Sequence, residues 1–96
     1  MSEKARFFVI MTNGRAENLT PEQSASWADI IDWAWHQGIS AGSNTPLPDK
    51  LFRNGKLIAS DLWNTAWHFH DARRKRIESL EAELMKVFPQ PWSDAP

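Results

Sequence analysis

The order of apolar and polar residues predicts a strand followed by a capped helix in the first half of the chain. Residues 5–12 are a short run of aromatic and β-branched side chains that ends at the Asn-Gly pair of residues 13–14, which is typical of a strand closed by a turn. Residues 20–23, TPEQ, have the form of a capping box with proline in the first helical position. We expect a helix over residues 21–37 that ends at Gly38, because glycine is the usual left-handed C-terminal cap.

A hairpin and a second helix are predicted in the other half of the chain. Residues 51–58 are two apolar runs around an Asn-Gly pair, the strongest short signal for a hairpin, which could pair with the first strand. A helical pattern then runs unbroken from residue 61 to residue 88, and residues 89–96 read as an extended, proline-rich tail. The pattern therefore predicts a mostly α protein with a small β element, in which residues 1–88 form a single domain.

The predicted second helix is longer than the rest of the chain can cover. At about 1.5 Å per residue, a helix over residues 61–88 would span about 42 Å. Its last part carries an apolar seam at coiled-coil spacing, formed by Ile77, Leu80, Leu84 and Val87. This seam could lie on the first helix, pair with a second copy in a homodimer, or bind a groove on another protein.

Composition limits the compartment and the kinds of site. The 96 residues include no cysteine, so the chain has no disulfide framework, no thiolate metal site and no thiol nucleophile. No apolar run approaches the roughly 20 residues of a membrane span, and the first ten residues lack the order of a signal peptide. We therefore expect a soluble cytoplasmic protein that makes no membrane contact.

Charge is segregated along the chain although the net charge is −1. Residues 20–49 carry four acidic and no basic residues, whereas residues 50–76 carry seven basic and two acidic residues, a net charge of +5. The two blocks could attract each other, or the basic block could contact nucleic acid or an acidic partner. The candidate nucleic-acid contacts are Arg53, Lys56, Arg74 and Lys75.

Six tryptophans in so short a chain are the strongest indication of binding. Tryptophan is a frequent energetic anchor at protein interfaces, because its rigid ring contributes a large apolar area at a low entropic cost. Helical spacing places Trp27 and Trp63 in the core, whereas the other rings lie on helix shoulders or in the tail. Arg73 falls on the apolar stripe of the second helix, where it needs a carboxylate from the first helix or from a partner. The predicted partner-binding residues are Trp33, Trp35, Trp67, Arg73, Arg74, Arg76 and Trp92.

No motif for catalysis, metal binding or cofactor binding is present in the sequence. His68 and His70 point about 200° apart on a helix, and no HExxH or CxxC pattern accompanies them. A glycine-rich phosphate loop is also missing from the sequence. We therefore expect a protein that is not an enzyme, with no catalytic residues, no metal and no cofactor.

Residues 28–67 partly resemble excisionases and related small phage regulators. The matching pieces are WAWHQG, PLPDKLFRNGKLI and SDLWNTAW. The resemblance implies a winged-helix DNA-binding fold in which Arg53 and Lys56 lie on a wing that touches phosphate or the minor groove. The chain departs from this pattern at Asp29 and Asp32, because negative charge on the would-be recognition helix would repel DNA.

The whole chain resembles small early-region accessory proteins of lambdoid phages in its size, tryptophan content, lack of cysteine and LEAEL ending. Within that group it is similar in general character to the anti-RecBCD accessory proteins. The resemblance implies a non-enzymatic protein that docks on a host nuclease–helicase or another defence complex and inhibits or modulates it. The alternatives are a small DNA-binding regulator and a module that self-associates through its C-terminal helix.

Overall fold

The protein is a four-stranded antiparallel sheet with two helices packed on one of its faces. The computed structural model describes residues 6–40, 42, 44–75, 86 and 88–92. Their elements are β1 (Phe7–Met11), β2 (Ala16–Asn18), α1 (Trp27–Ile39), β3 (Pro48–Arg53), β4 (Lys56–Ala59) and α2 (Leu62–Lys75). The strand order is β2-β1-β3-β4, so the chain forms two ββα units joined through their first strands. The expected mostly α fold is therefore wrong, since the described residues form a two-layer α/β arrangement.

The core lies between the sheet and the helices. Alternate residues of β1 are buried, as expected for a strand with one covered face. They pack with apolar residues of β3, α1 and α2. The buried set consists of Phe7, Val9, Met11, Trp27, Ile30, Ile31, Ala34, Leu51, Leu62, Ala66 and Phe69.

The predicted hairpin is present and forms half of the sheet. Asn54 and Gly55 both have positive φ, at 52° and 82°, as the favoured two-residue turn requires. The strand predicted over residues 5–12 is β1, and it pairs antiparallel with β3. The edge strand β2 was not predicted, because its three residues are all exposed and carry no hydrophobic alternation. The Asn-Gly pair at residues 13–14 is the signal that could have revealed this first hairpin.

The first helix begins at Trp27, whereas the sequence predicted that it would begin at residue 21. The predicted capping box does form: the Gln23 N–H donates to Thr20 Oγ1 at 3.1 Å, and the Thr20 N–H donates to Gln23 Oε1 at 2.8 Å. It closes an isolated turn, and the helix is capped instead by Ser26, whose Oγ accepts from the Asp29 N–H at 3.2 Å. Two capping signals follow each other in the sequence, and the later one starts α1.

The predicted cap at Gly38 is also wrong. The helix continues through Gly38 to Ile39, and the described glycines with positive φ are Gly14 and Gly55. A Cβ built on Gly38 would overlap the six-membered ring of Trp63. Gly38 is therefore present because α2 approaches α1 closely at this point, and not because the helix has to end there.

The long C-terminal helix is contradicted by the packing of Phe88. In a continuous helix, Phe69 and Phe88 would lie about 28 Å apart at about 1.5 Å per residue. Their ring centroids are 5.5 Å apart, so the chain turns back between them. The described part of α2 ends at Lys75. The predicted seam residues Ile77, Leu80, Leu84 and Val87 lie outside the described residues.

The start of α2 also differs from the prediction by one residue. The helical pattern was expected to begin at residue 61, but α2 begins at Leu62. The carbonyl of Asp61 accepts from the Thr65 N–H at 3.2 Å, which places Asp61 at the cap position. Asp61 has φ of 55°, a left-handed conformation that aspartate tolerates better than most residues.

Candidate functional site

One face of the sheet carries apolar side chains and is left without a covering layer by the described elements. Phe8 and Ile10 alternate with the buried residues of β1, so they point away from the helices. Phe52 is the partner of Phe8 across β1 and β3, and their rings stack at 4.7 Å with 3° between planes. Leu57 is the partner of Phe52 on β4, and 46% of it is exposed. The face thus presents a continuous row from Phe8 to Leu57, with Ile10 beside it.

Polar groups border this row at two positions. Asn18 is the partner of Phe8 on the edge strand β2, and Lys50 is the partner of Ile10 on β3. Both of these residues are exposed. An apolar centre with a polar rim is the usual anatomy of a protein-binding surface.

The helix layer holds a stack of three aromatic rings. Trp35 of α1 lies 5.5 Å from Trp63 and 4.0 Å from His70 of α2, with near-parallel planes in both cases. The Trp63 ring also packs against Gly38. Trp35, Trp63 and His70 are only partly exposed, so these rings hold α1 and α2 together. Trp35, a predicted partner-binding residue, therefore packs partly within the protein. Trp63 was expected in the core but is partly exposed at the edge of the core.

Trp67 is the most exposed of the predicted anchors on the helix layer. It is 44% exposed and meets His68 edge to face at 5.3 Å. Trp33 lies on the other shoulder of α1, where it is partly buried against the core. The predicted anchors on the helix layer therefore differ in exposure. Trp67 is nearly half exposed to solvent, whereas Trp33 and Trp35 are partly buried.

The C-terminal tryptophan packs at the opposite side of the core from these rings. Trp92 lies 5.1 Å from Phe7 and 6.0 Å from Trp27, measured between ring centroids. The guanidinium carbon of Arg53 lies 5.8 Å from the centroid of the same ring, within cation–π range. The structure thus joins Arg53 and Trp92, which the sequence placed in two separate groups.

Two arginines of α2 form ion pairs at the surface. Arg73 Nη1 lies 3.9 Å from Asp32 Oδ1 of the first helix, which is one of the two alternatives that its position left open. Arg74 Nη2 lies 3.3 Å from Asp71 Oδ1 of the same helix. Arg76 and the side chain of Lys75 lie outside the described residues.

The expected DNA-binding wing is part of the sheet. Arg53 and Lys56 are partners on either side of the Asn-Gly turn. β3, however, is a central strand held between β1 and β4, so the hairpin does not project as a separate arm. This geometry differs from the winged arrangement that the excisionase resemblance implies.

No protein-family model matches this chain, and neither a curated protein nor a solved structure is similar enough to count as a match. Within the described ranges, no three histidine, aspartate or glutamate side chains are grouped to hold a metal ion. Among those same residues, neither helix has the length and apolar character needed to cross a membrane. The resemblances to excisionases and to lambdoid accessory proteins remain predictions.

Proposed function

We propose that this is a non-enzymatic protein that acts by binding another protein through the uncovered face of its sheet. The observation that carries the proposal is the stacked pair Phe8 and Phe52, continued by Leu57 and flanked by Ile10. Four large apolar side chains on one uncovered sheet face exceed the scattered single residues of an ordinary surface. Burying them against a partner would remove their apolar area from water, at roughly 25 cal/mol per Å².

We propose a host nuclease–helicase, or another host defence complex, as the partner. Support comes from the resemblance to lambdoid accessory proteins, since proteins of that group work by docking. The lack of cysteine fits action in the host cytoplasm. The incorporation of Arg53 and Lys56 into the sheet favours this proposal over the DNA-binding regulator, which needs a projecting wing.

The test compares two substitutions that put the same charge on opposite layers of the protein. Phe52→Glu changes the uncovered sheet face, and Trp67→Glu changes the exposed ring of α2. Both side chains are at least partly exposed, so circular dichroism should show that both variants fold. Binding is measured on immobilised purified nuclease–helicase, together with the nuclease activity of that complex.

We expect Phe52→Glu to weaken binding at least about tenfold and Trp67→Glu to leave it nearly unchanged, since a charge in the apolar centre of an interface remains unpaired. Loss of binding on Trp67→Glu alone would place the interface on the helix layer and refute the assignment of the sheet face. A wild-type protein that binds neither a nuclease–helicase nor a defence complex would refute the proposed partner. If Phe52→Glu instead converts a dimer to a monomer in light scattering, the face is occupied by a second copy.

A further inference from the structure

Two basic residues lie on the same side of the sheet as the stacked phenylalanines. Lys50 is the register partner of Ile10 and precedes Phe52 by two residues on β3. Arg6 precedes Phe8 by two residues, and successive side chains of an extended chain alternate between the two faces. Both basic residues are exposed. Because β1 and β3 run in opposite directions, they border the apolar row on its two sides.

The extended path of the chain at Arg6 is fixed by two hydrogen bonds to the β3–β4 turn. The Arg6 N–H donates to Asn54 Oδ1 at 2.9 Å, and the Asn54 N–H donates to the Arg6 carbonyl at 2.8 Å. These bonds continue the β1–β3 register one position beyond the pair of Phe7 and Arg53. Arg6 and Ile10 are four residues apart, so about 13 Å separates the two basic ends along the strands.

The acidic residues of the strands do not share this arrangement. Glu17 is the register partner of Val9, which is fully buried on the helix side. Asp49 lies at the register shift of β3, next to Lys50 in the chain. The ion pairs of the helix layer use other cations. Among the described register pairs, the uncovered face therefore combines an apolar centre with a rim that is positive or neutral.

The edges of the sheet are poorly suited to accept a further strand. β2 has only three residues, and β4 carries Ile58 as an extra residue at its register shift with β3. Short and bulged edge strands are among the usual features that oppose strand addition. A protein that binds this side therefore rests on the face of the sheet and does not extend it.

The apolar row has the dimensions of one helix. Phe8, Phe52 and Leu57 lie on three neighbouring strands, so the row is about 10 Å long at about 4.8 Å between strands. An α-helix rises about 5.4 Å per turn and is about 10–12 Å across with its side chains. Helix residues at i, i+4 and i+7 would therefore meet successive members of the row. The two flanks of such a helix would lie level with the basic residues.

We propose that the uncovered face binds an amphipathic helix whose apolar stripe is flanked on both sides by aspartate or glutamate. This inference rests on the proposed function, because it specifies what the partner presents to Phe8 and Phe52. Carboxylates on the two flanks would pair with Arg6 and Lys50 at the rim. Complementary rim charges contribute to orientation and encounter rate more than to affinity, while the apolar stripe supplies most of the binding free energy.

Single-stranded nucleic acid matches this face less well. Proteins that bind a single strand offer aromatic rings on which successive bases stack, beside a positive groove that follows the backbone. Phe8 and Phe52 stack on each other, so one face of each ring is already covered. Ile10 and Leu57 offer no ring to a base, whereas they suit the aliphatic stripe of a helix.

The test titrates labelled synthetic helices of about 15 residues, a length at which helices are stable in water, and follows binding by fluorescence anisotropy. The first has a leucine stripe flanked by glutamates, the second has the same stripe flanked by lysines, and the third has the glutamates but serines in the stripe. Arg6→Glu and Lys50→Glu reverse the two cations. Lys56→Glu is the matched control, because Lys56 is exposed on the same sheet but is the register partner of Arg53 on the helix side. Asp49→Asn removes the neighbouring carboxylate.

We expect wild type to bind the glutamate-flanked helix most tightly, and each reversal to raise its Kd about fivefold while Lys56→Glu changes it little. Lys50→Glu should also gain affinity for the lysine-flanked helix, which a folding defect cannot produce. Asp49→Asn should bind the glutamate-flanked helix at least as tightly as wild type.

Three results would overturn the inference. The first is equal binding of the glutamate-flanked and lysine-flanked helices by wild type, and the second is a pair of reversal variants that bind like Lys56→Glu. The third is displacement of the glutamate-flanked helix by a short single-stranded oligonucleotide at lower concentration than by the unlabelled helix, which would assign the face to nucleic acid.

Failure of this inference and failure of the proposed function give different results. If Phe52→Glu loses binding to the nuclease–helicase while Arg6→Glu and Lys50→Glu keep it, the acidic helix is refuted and the protein-binding face stands. If wild type binds the glutamate-flanked helix but neither a nuclease–helicase nor a defence complex, the named partner is refuted and the chemistry of the face stands.

Discussion

The indole Nε1–H of Trp27 donates a hydrogen bond to the carbonyl of Phe88, with 3.0 Å between nitrogen and oxygen, across 61 residues of sequence. The same tryptophan is 5% exposed and contacts Trp92 edge to face. This single side chain at the start of α1 therefore ties the C-terminal segment to the core. The first two predictions concern this connection.

Trp27→Phe should lower the free energy of unfolding by about 1–3 kcal/mol. The change leaves the partly buried Phe88 carbonyl without its donor and removes part of a buried ring. Urea denaturation followed by far-ultraviolet circular dichroism measures the difference. Trp67→Phe is the control, and because Trp67 is 44% exposed it should change stability by less than about 0.5 kcal/mol. Equal effects of the two substitutions would contradict the tie to Phe88.

The return of the chain from Phe69 to Phe88 can be measured directly, since the natural sequence has no cysteine to interfere with labelling. Nitroxide labels at His68→Cys and Gln90→Cys occupy exposed positions. A continuous helix would separate them by about 33 Å, at about 1.5 Å per residue. We expect dipolar electron spin resonance to give a clearly shorter distance. A pair at Asn64 and Arg74 inside α2 provides the reference, and a distance near 33 Å for the first pair would restore the single long helix.

Gly38→Ala should destabilise the protein by about 1–3 kcal/mol, although alanine normally stabilises a helix interior by about 1 kcal/mol relative to glycine. The added methyl group would overlap the ring of Trp63, which cannot move freely because it also stacks on Trp35. Thermal or urea unfolding measures the loss. Gly42→Ala is the control, because its new Cβ would meet only an ordinary contact with Thr45.

A second substitution shows whether the overlap causes this loss. In Trp63→Leu the ring is absent, so Gly38→Ala should then be neutral or stabilising, and a double-mutant cycle should give a large coupling energy. Additive effects would mean that the cost of Gly38→Ala arises elsewhere.

Asn54→Ala should destabilise the protein by about 1–3 kcal/mol for two reasons. Alanine is strained at a φ of 52°, and the substitution removes the oxygen that accepts the Arg6 N–H. Asn54→Gly should have an intermediate effect, since glycine tolerates the conformation but still lacks the acceptor. The exposed helical Asn64→Ala is the control and should be neutral or slightly stabilising. An Asn54→Gly variant as unstable as Asn54→Ala would assign the whole effect to the hydrogen bond.

Local signals in the sequence predicted several elements correctly. The Asn-Gly pair at residues 54–55 identified the β3–β4 hairpin, because its two positive φ angles are a property of those residues themselves. Helical spacing placed Trp27 in the core, and the structure buries it on the same side of α1 as Ile30, Ile31 and Ala34. The pairing of Arg73 with an aspartate of α1 is one of the two alternatives that helical position and charge left open.

The errors share a different cause. Periodicity favoured one helix from residue 61 to residue 88. A periodic pattern does not report the free energy that is gained when Phe88 packs on Phe69 and its carbonyl accepts from Trp27. The same weakness affected the candidate site. The tryptophans indicated a binding surface on the helix shoulders. Phe8 and Phe52 form an apolar surface patch only because β1 pairs with β3.

The sequence by itself determined which short segments turn, which begin as strands, and which helix face is apolar, because those properties depend on residues within a few positions of one another. The tertiary structure alone decided that Gly38 makes room for Trp63, that Arg53 lies over Trp92, and that the described helices leave one sheet face uncovered. Each of these involves residues far apart in the chain. Their contact depends on how two layers pack, and the free energy of that packing is not contained in any local pattern.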